Sequence, residues 1–504
     1  MVWCMGKEYI LTIDQGTTST RAIIFDNKAN VIAENQIEFS QICPHNGWVE
    51  HNPEEIWELT YQTVKNVIYT SNLDLNKLKA IGITNQRETT VIWDKTTGKP
   101  VYNAIVWQSR QSQSICEDLI NRGLSDIFRK KTGLIINPYF SASKIKWIFD
   151  NVDNVKEKAE EGKLLFGTID TYLLWKLTNG KVHATDYSNA SRTLIYNINE
   201  LKWDDELLGY FGIPKNILPE VLPSSHIFGY ATGLTSIDKR FSQIPIASIV
   251  GDQQASLFGQ CCFEPGDCKS TYGTGCFILM NTGEKPITSN YGLLTTIAWG
   301  LNGKIEYALE GSVFVAGSAI QWLRDQLEFF EKSSDCEKSV KSNNPSNGVY
   351  IVPAFVGLGT PYWDNDARGA IFGITRATTK DNIVAATIES IAYQARDVMD
   401  AMKKESQNEI QYLGVDGGAS VNDYMMQFQA DLLNAKLIRP TCFETTALGA
   451  TYFAGLATGV FKSKDEIKKL HQVEQIFMSR IDDEMRDKLI KGWKKAVDAT
   501  LKFK

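Results

Sequence analysis

The sequence predicts an α/β protein built as two domains, and three observations carry that reading. At 504 residues the chain exceeds what a single hydrophobic core usually supports. Strand-like and helix-like signals alternate along its whole length. Near Tyr9, and again near Lys269, an apolar strand, a Gly/Thr turn and a second apolar strand follow one another. Each hairpin opens one half of the chain, which sets a domain boundary near residue 256 and gives 1–255 and 256–504. The repeated opening points to duplication, although identity between the halves is low.

In chain order, Tyr9 to Asp14 and Thr20 to Asp26 are apolar, β-branched runs around a Gly/Thr/Ser turn. Val31 to Phe39 is expected to add a third strand. Asn52-Pro53-Glu54-Glu55 reads as a helix start, with Asn52 as cap, Pro53 in the first turn and acidic residues at the positive helix end. Ile56, Leu59, Thr63, Val64, Val67 and Ile68 then share one helical face. Leu78 to Thr84, Thr89 to Trp93 and Leu164 to Ile169 read as strands, the last leading into an apolar helix through Leu177. Leu218 to Phe241, with Pro219, Pro223, Gly229 and Gly233, looks loop-rich. Ile244 to Val250 is an apolar strand closed by Gly251-Asp252-Gln253-Gln254. Lys269 to Met280 forms the second hairpin. Glu331 to Asn347 is polar and is expected to be a surface loop. Lys491 to Lys495, around Trp493, is expected to be a solvated helix face.

Composition narrows the partners. The chain is 43% hydrophobic and 22% charged with a net charge of −6, ordinary for a soluble globular protein. No long run of like charge marks a nucleic-acid or anionic-membrane surface. No apolar run reaches the roughly 18 residues of a membrane span. The segment Met1 to Lys7 lacks a signal-peptide core. The nine cysteines are irregularly spaced without C-x-x-C, and the five histidines are scattered. Neither a disulfide framework nor a zinc site is indicated, which fits a reducing, cytoplasmic compartment.

Four polar constellations carry the chemistry. In the first hairpin, Asp14 stands beside a turn bearing Thr17, Thr18 and Ser19, followed by Arg21. Turn N–H groups can cradle an anion, and a neighbouring carboxylate can hold Mg²⁺. The second is Asn85-Gln86-Arg87-Glu88-Thr89-Thr90, between two apolar strands. If the strand continues, Arg87 and Glu88 point to opposite faces, and if it bends, both reach one small polar ligand. The third is Gly251-Asp252-Gln253-Gln254 at a strand end, where α/β sheets bind ligands. Asp252 suits proton acceptance from a hydroxyl, and it equally suits a helix cap. The fourth is Gly414 to Asn422, whose paired glycines allow close backbone approach to a purine or ribose. Trp107, Tyr139 and Phe277 lie beside these clusters, although most such aromatics are core. Phosphoryl transfer needs a metal, phosphate donors, a base and a dry pocket, and the clusters supply all of these together.

These segments resemble the FGGY carbohydrate kinases of the actin-like ATPase superfamily, from about Tyr9 to Gly459. The likeness includes Asp14-Gln15-Gly16-Thr17-Thr18-Ser19, Ile83 to Thr90, Asn103 to Gln108, Gly251 to Gln254 and Thr271 to Phe277. It extends to the two family signatures, Tyr139 to Asn151 with Ser141, Lys144 and Trp147, and Gly369 to Glu389 with Gly373 and Asn382. Asn85-Gln86-Arg87-Glu88 is particular to members that phosphorylate glycerol. The resemblance implies two ribonuclease H-like domains around a central cleft, with glycerol and phosphate on the first and nucleotide on the second. It implies conversion of ATP and glycerol to ADP and sn-glycerol 3-phosphate, with Mg²⁺, by a cytoplasmic homodimer or higher homo-oligomer.

By motif, the resemblance implies that Arg87, Glu88, Tyr139 and Asp252 bind glycerol hydroxyls, with Gln253 assisting and Trp107 and Phe277 lining the apolar side. Asp252 is then the base and Asp14 the Mg²⁺ carboxylate. Thr17, Thr18, Ser19 and Arg21 meet the phosphates, and Thr274, Gly317, Gln321, Gly418 and Asn422 hold the nucleotide. A loop for fructose 1,6-bisphosphate is not recognisable at Tyr230 to Ser242, nor a regulator-docking segment at Met478 to Lys488. The competing readings are a kinase for a pentose or larger polyol, and an ATPase module that switches partners. Arg87, Glu88 and the bulky Trp107 suit a three-carbon triol. Assayed with ATP over a panel of polyols, the protein is expected to turn over glycerol fastest, and faster turnover of a pentulose overturns that reading.

Overall fold

The computed structural model describes residues 6–340, 345–364, 366–410 and 412–503. The reading of Met1 to Met5, and the middle of the expected loop at 341–344, lie outside the described residues. The first half is organised on a six-stranded sheet. Tyr9–Gln15 pairs antiparallel with Ser19–Asp26, and Val31–Glu38 continues outward. On the other side Leu78–Asn85 and then Pro245–Gly251 run parallel. Asn52 caps the helix Pro53–Ser71, its side chain accepting from the Glu54 N–H at 3.0 Å. That helix packs on the hairpin strands through Ile56, Val64, Val67 and Ile68, while Leu59 is only partly buried.

One expectation needs correction. The segment 218–241 is not simply loop. It contains Glu220–Leu222 and Ser225–Tyr230, and the latter closes the sheet edge antiparallel to Pro245–Gly251. An edge strand tolerates neighbouring prolines because one of its sides needs no ladder partner, and Pro219 and Pro223 fall just outside the strands. Val91–Asp94 is a strand, as expected, and pairs with Leu164–Gly167 in a small separate ladder.

The second half repeats the first. Its seven-stranded sheet holds the hairpin Cys268–Tyr272 and Cys276–Gly283, with Lys304–Val313 antiparallel outside it. Tyr412–Asp416 and Lys436–Pro440 lie parallel on the inner side. Leu294–Leu301 and Val473–Phe477 form the edges. An antiparallel triplet followed by two parallel strands therefore occurs twice. In the helix Asp483–Lys502, Lys491, Lys494 and Lys495 face solvent. Trp493 turns inward, stacked 5.0 Å from Tyr393, with its indole N–H on Asp397 at 2.6 Å.

Two helices bind the halves together. Asp252–Gly259 leaves the first sheet and lies against the strands of the second, so residue 256 falls inside a helix. Thr445–Thr458 comes from the second half and covers the first sheet. Its contacts there include Thr451 to Thr12 between hydroxyls at 2.7 Å, and the Ser248 hydroxyl donating to the Ala450 carbonyl at 2.8 Å. The two helices touch backbone to backbone. A Cβ on Gly449 would lie 1.9 Å from the Ala255 carbonyl oxygen, and one on Gly259 2.0 Å from that of Thr445. Gly449→Ala is expected to destabilise the protein by about 1–3 kcal/mol, the usual cost of overpacking. Chemical denaturation checks this, and a variant as stable as the parent refutes it.

Candidate functional site

The strand Leu78–Asn85 delivers its next residues to a turn. Glu88 adopts φ +55°, and the Thr89 N–H reaches the Arg87 carbonyl at 2.5 Å. A buried glutamate in left-handed backbone is uncommon and persists where surrounding contacts over-determine it. The turn brings Arg87 and Glu88 to one place, Arg87 Nε lying 3.7 Å from Glu88 Oε1. The bent alternative is the one observed. Gly251 leaves room for the Arg87 stem, since a Cβ there would stand 2.9 Å from its Cγ and Cδ.

Both side chains belong to a buried ionic network. Arg87 forks onto Glu310 at 2.6 and 3.1 Å, donates to Gln254 at 3.2 Å, and sets Nε 3.3 Å from Asp252. Arg192 bonds Glu88 at 2.7 Å and Glu310 at 2.8 Å. Glu310 is fully buried on Lys304–Val313 of the second sheet. Burial pushes its pKa up, but the Arg192 and Arg87 guanidiniums outweigh that and hold it at about 2. Glu88 goes the other way, because burial prevails over the same two cations. Arg192 also lies over the rings of Tyr139 and Phe140, at 5.8 and 5.3 Å from their centroids.

Asp252 opens the helix after Gly251 but does not cap it. Its carboxylate accepts the Gln253 backbone N–H at 2.7 Å and the Gln253 side-chain amide at 3.3 Å, and it retains 31% exposure. Three rings form a cluster, in which Trp107 meets Tyr139 edge-on at 5.4 Å and Phe277 at 6.2 Å, and Tyr139 lies under the Arg192 that bonds Glu88. Burial raises the Tyr139 pKa, so its hydroxyl stays protonated and available as a donor. The Trp107 indole N–H donates to Thr17 Oγ1 at 3.0 Å. Trp107 thereby stands between the two hairpins.

The hairpins themselves differ in what they leave free. Thr18 is exposed, whereas Ser19 is buried and accepts from Gln36 at 2.9 Å. Arg21 reaches Glu444 of the second half at 2.5 Å. Asp14 is partly buried, and burial pushes its pKa up to about 7, with Arg21 opposing and Glu444 and Asp252 adding to the rise. A carboxylate so placed gains from a cation. Among the described residues no three His, Cys, Asp or Glu side chains converge on a metal cage.

On the second hairpin Thr274 is exposed, and the Gly317 N–H donates to the Gly273 carbonyl at 3.0 Å. The head of the helix Gly317–Asp325 thus sits on the hairpin tip, and Gln321 on that helix is exposed. The Gly417 turn abuts Tyr272 of the same hairpin, and Gly418 faces open space. Asn422 accepts the Met425 N–H at 2.8 Å, capping the helix Asp423–Leu433.

Sequence reading missed Glu310, Arg192 and Lys269. All three are lone charges among mixed neighbours, Lys269 beside Ser270 and Thr271 and Glu310 on a strand that also carries Lys304 and Glu306, so no local pattern marks them. Glu310→Gln leaves two buried guanidiniums short of charge and is expected to cost about 3–5 kcal/mol. Because the folded pKa of Glu310 lies below its usual 4.5, its contribution is complete above that pH and is lost as pH falls toward 2. The Tm gap between parent and variant is therefore expected to narrow over that interval. A gap that is absent at neutral pH, or constant with pH, overturns the assignment.

The chain matches the FGGY family of carbohydrate kinases, N-terminal domain, over residues 9–259, and the C-terminal domain over residues 268–458. It is 58% identical to a protein of Bacillus velezensis named glycerol kinase, over 99% of this chain and 100% of that one. A glycerol kinase of Bacillus subtilis is 57% identical with the same coverage. The crystal structure of Plasmodium falciparum glycerol kinase with ADP superposes with a TM-score of 0.93 at 38% identity, covering 98% of each chain. A gluconate kinase of Lactobacillus acidophilus, at 23% identity and TM-score 0.88 over 98% of each chain, shares the fold. Among the described residues no helix is long and apolar enough to cross a membrane. The chain belongs to the FGGY family of carbohydrate kinases, an enzyme family, and falls in its glycerol kinase branch.

Proposed function

We propose that the protein transfers the γ-phosphoryl group of ATP to glycerol, forming sn-glycerol 3-phosphate and ADP, with Asp252 as the general base. The observation that supports this reading is that Arg87 lies against both Glu88 and Asp252, while Tyr139 lies under the Arg192 that bonds Glu88 and shares an aromatic cluster with Trp107 and Phe277. Polar groups and neighbouring rings of this kind suit a small triol with a hydrocarbon face. The relatives at 57–58% identity support the substrate, and the ADP-bound relative supports the nucleotide.

In this reading residues 1–255 supply the glycerol and phosphate side and residues 256–504 the nucleotide side. Arg87, Glu88 and Tyr139 hold the hydroxyls, with Gln253 beside Asp252. The hydroxyl oxygen attacks the γ-phosphorus in line, its proton passes to the Asp252 carboxylate, and the bond to the bridging oxygen breaks to release ADP. Thr17, Thr18, Ser19 and Arg21 meet the phosphates from the first hairpin. Thr274, Gly317, Gln321, Gly418 and Asn422 hold the nucleotide from the second half. Asp14 would hold Mg²⁺, which neutralises phosphate charge when bound. Trp107 and Phe277 exclude water that would otherwise take the phosphoryl group.

Arg87 holds one Asp252 oxygen while the carboxylate stays partly exposed, so it can receive a proton without losing its place. Asp252→Asn keeps the shape and removes the base. General-base catalysis contributes roughly 10²–10⁴-fold. Glycerol phosphorylation by the variant, followed by ADP release, is expected to fall by at least about 100-fold. Activity within about tenfold of the parent sinks the base assignment.

A further inference from the structure

Lys269 is fully buried on the strand Cys268–Tyr272, which opens the second half. Side chains alternate along a strand, so Lys269 and Thr271 share the face turned to the helix Asp252–Gly259, while Cys268 and Tyr272 enter the core behind it. The ammonium donates to Gln253 Oε1 and, at 2.9 Å, to Thr271 Oγ1. Neither acceptor is charged. Burial pushes the Lys269 pKa down, and the Asp416 and Asp252 carboxylates oppose that shift. A buried ammonium with no ion pair among the described residues is costly, and no step of the reaction described above uses it.

Its hydrogen bonds specify something else. An ammonium only donates, so the Gln253 atom facing it must be the amide oxygen. The amide NH₂ must then face the other way, and there it meets Asp252 Oδ2 at 3.3 Å. The other oxygen, Oδ1, takes the Gln253 backbone N–H at 2.7 Å and lies 3.3 Å from Arg87 Nε. Both oxygens of Asp252 are thus held, one of them through an amide whose orientation Lys269 dictates. Without that cation the amide is free to turn its oxygen toward the carboxylate, where it would repel.

We propose that Lys269 is a positioning residue for phosphoryl transfer, orienting the Asp252 carboxylate through the side-chain amide of Gln253. The proposal rests on Asp252 being the base. It also makes the orientation of that base depend on both halves of the molecule, since Lys269 stands on the second sheet and Gln253 on the helix that leaves the first.

The test is a double-mutant cycle on Lys269→Met and Gln253→Met, read as kcat and glycerol KM with saturating ATP. Misplacing a reacting group by about 1 Å costs up to roughly 100-fold. Each single variant is expected to lose about 10- to 100-fold in kcat, and Lys269→Met, which removes no glycerol contact, to keep glycerol KM within about threefold of the parent. The double variant is expected to lose no more than the worse single one, because both break the same relay. Lys269→Arg, which retains a donor-only cation, is expected to recover most of kcat. Gln253→Met leaves the buried lysine in place and reads the relay should Lys269→Met not fold. Losses that multiply in the double variant, or a loss confined to KM, overturn the proposal. An Asp252→Asn variant run alongside separates the two readings. If it is inactive while Gln253→Met keeps kcat within threefold, the relay alone falls; if it stays active, the base assignment falls and takes the relay with it.

Discussion

The site depends on one buried carboxylate. Glu310, on the second sheet, accepts from Arg87 and Arg192, which both belong to the first half. Without it, two guanidiniums would lie in a low-dielectric interior opposite a single remaining buried partner, Glu88. Charges buried in this way are tolerated only when paired and hydrogen-bonded. With it, Arg87 is fixed at both ends of its fork, and its remaining Nε is committed to the side facing Asp252. The same bonds tie Arg87 and Arg192 of one half to the sheet of the other. The geometry around Arg87 and the approach of the two halves are therefore one problem with one solution.

The exchanged helices solve the mechanical side of that problem. Thr445–Thr458 lies on the sheet of the first half, and Asp252–Gly259 against that of the second. Their contact at Gly259 and Gly449 is too close for any side chain. Hydroxyl bonds from Thr12 and Ser248 into the covering helix add direction to an otherwise apolar contact. A close-packed joint of this kind has few available positions, which is what a site assembled from both sides requires.

Much of the fold was legible. Both hairpins, the capped helix at Asn52 and the strand before Asp252 follow from local signals: β-branched runs, turn residues and helical spacing. Ser225–Tyr230 was hidden because prolines and glycines crowd its flanks, and its strand character comes from pairing with Pro245–Gly251 rather than from its own residues. Val91–Asp94 looked like any other buried strand. Only its partner, Leu164–Gly167, shows that it lies outside the main sheet.

The sequence by itself determined the inventory: the two Gly/Thr hairpins, the Arg87–Glu88 pair, the strand-end Asp252 and the family to which they belong. Each is a short motif whose chemistry is carried by adjacent residues. What only the tertiary structure decided is which groups complete them. Arg87 and Glu310 stand 223 positions apart, and Gln253 meets Lys269 only after a helix and a strand have folded against each other. Local pattern records backbone preference and apolar periodicity over a few residues. A charge pair closed across that much chain leaves no such pattern, because its energy comes from desolvation and geometry that exist only once both sheets are in place.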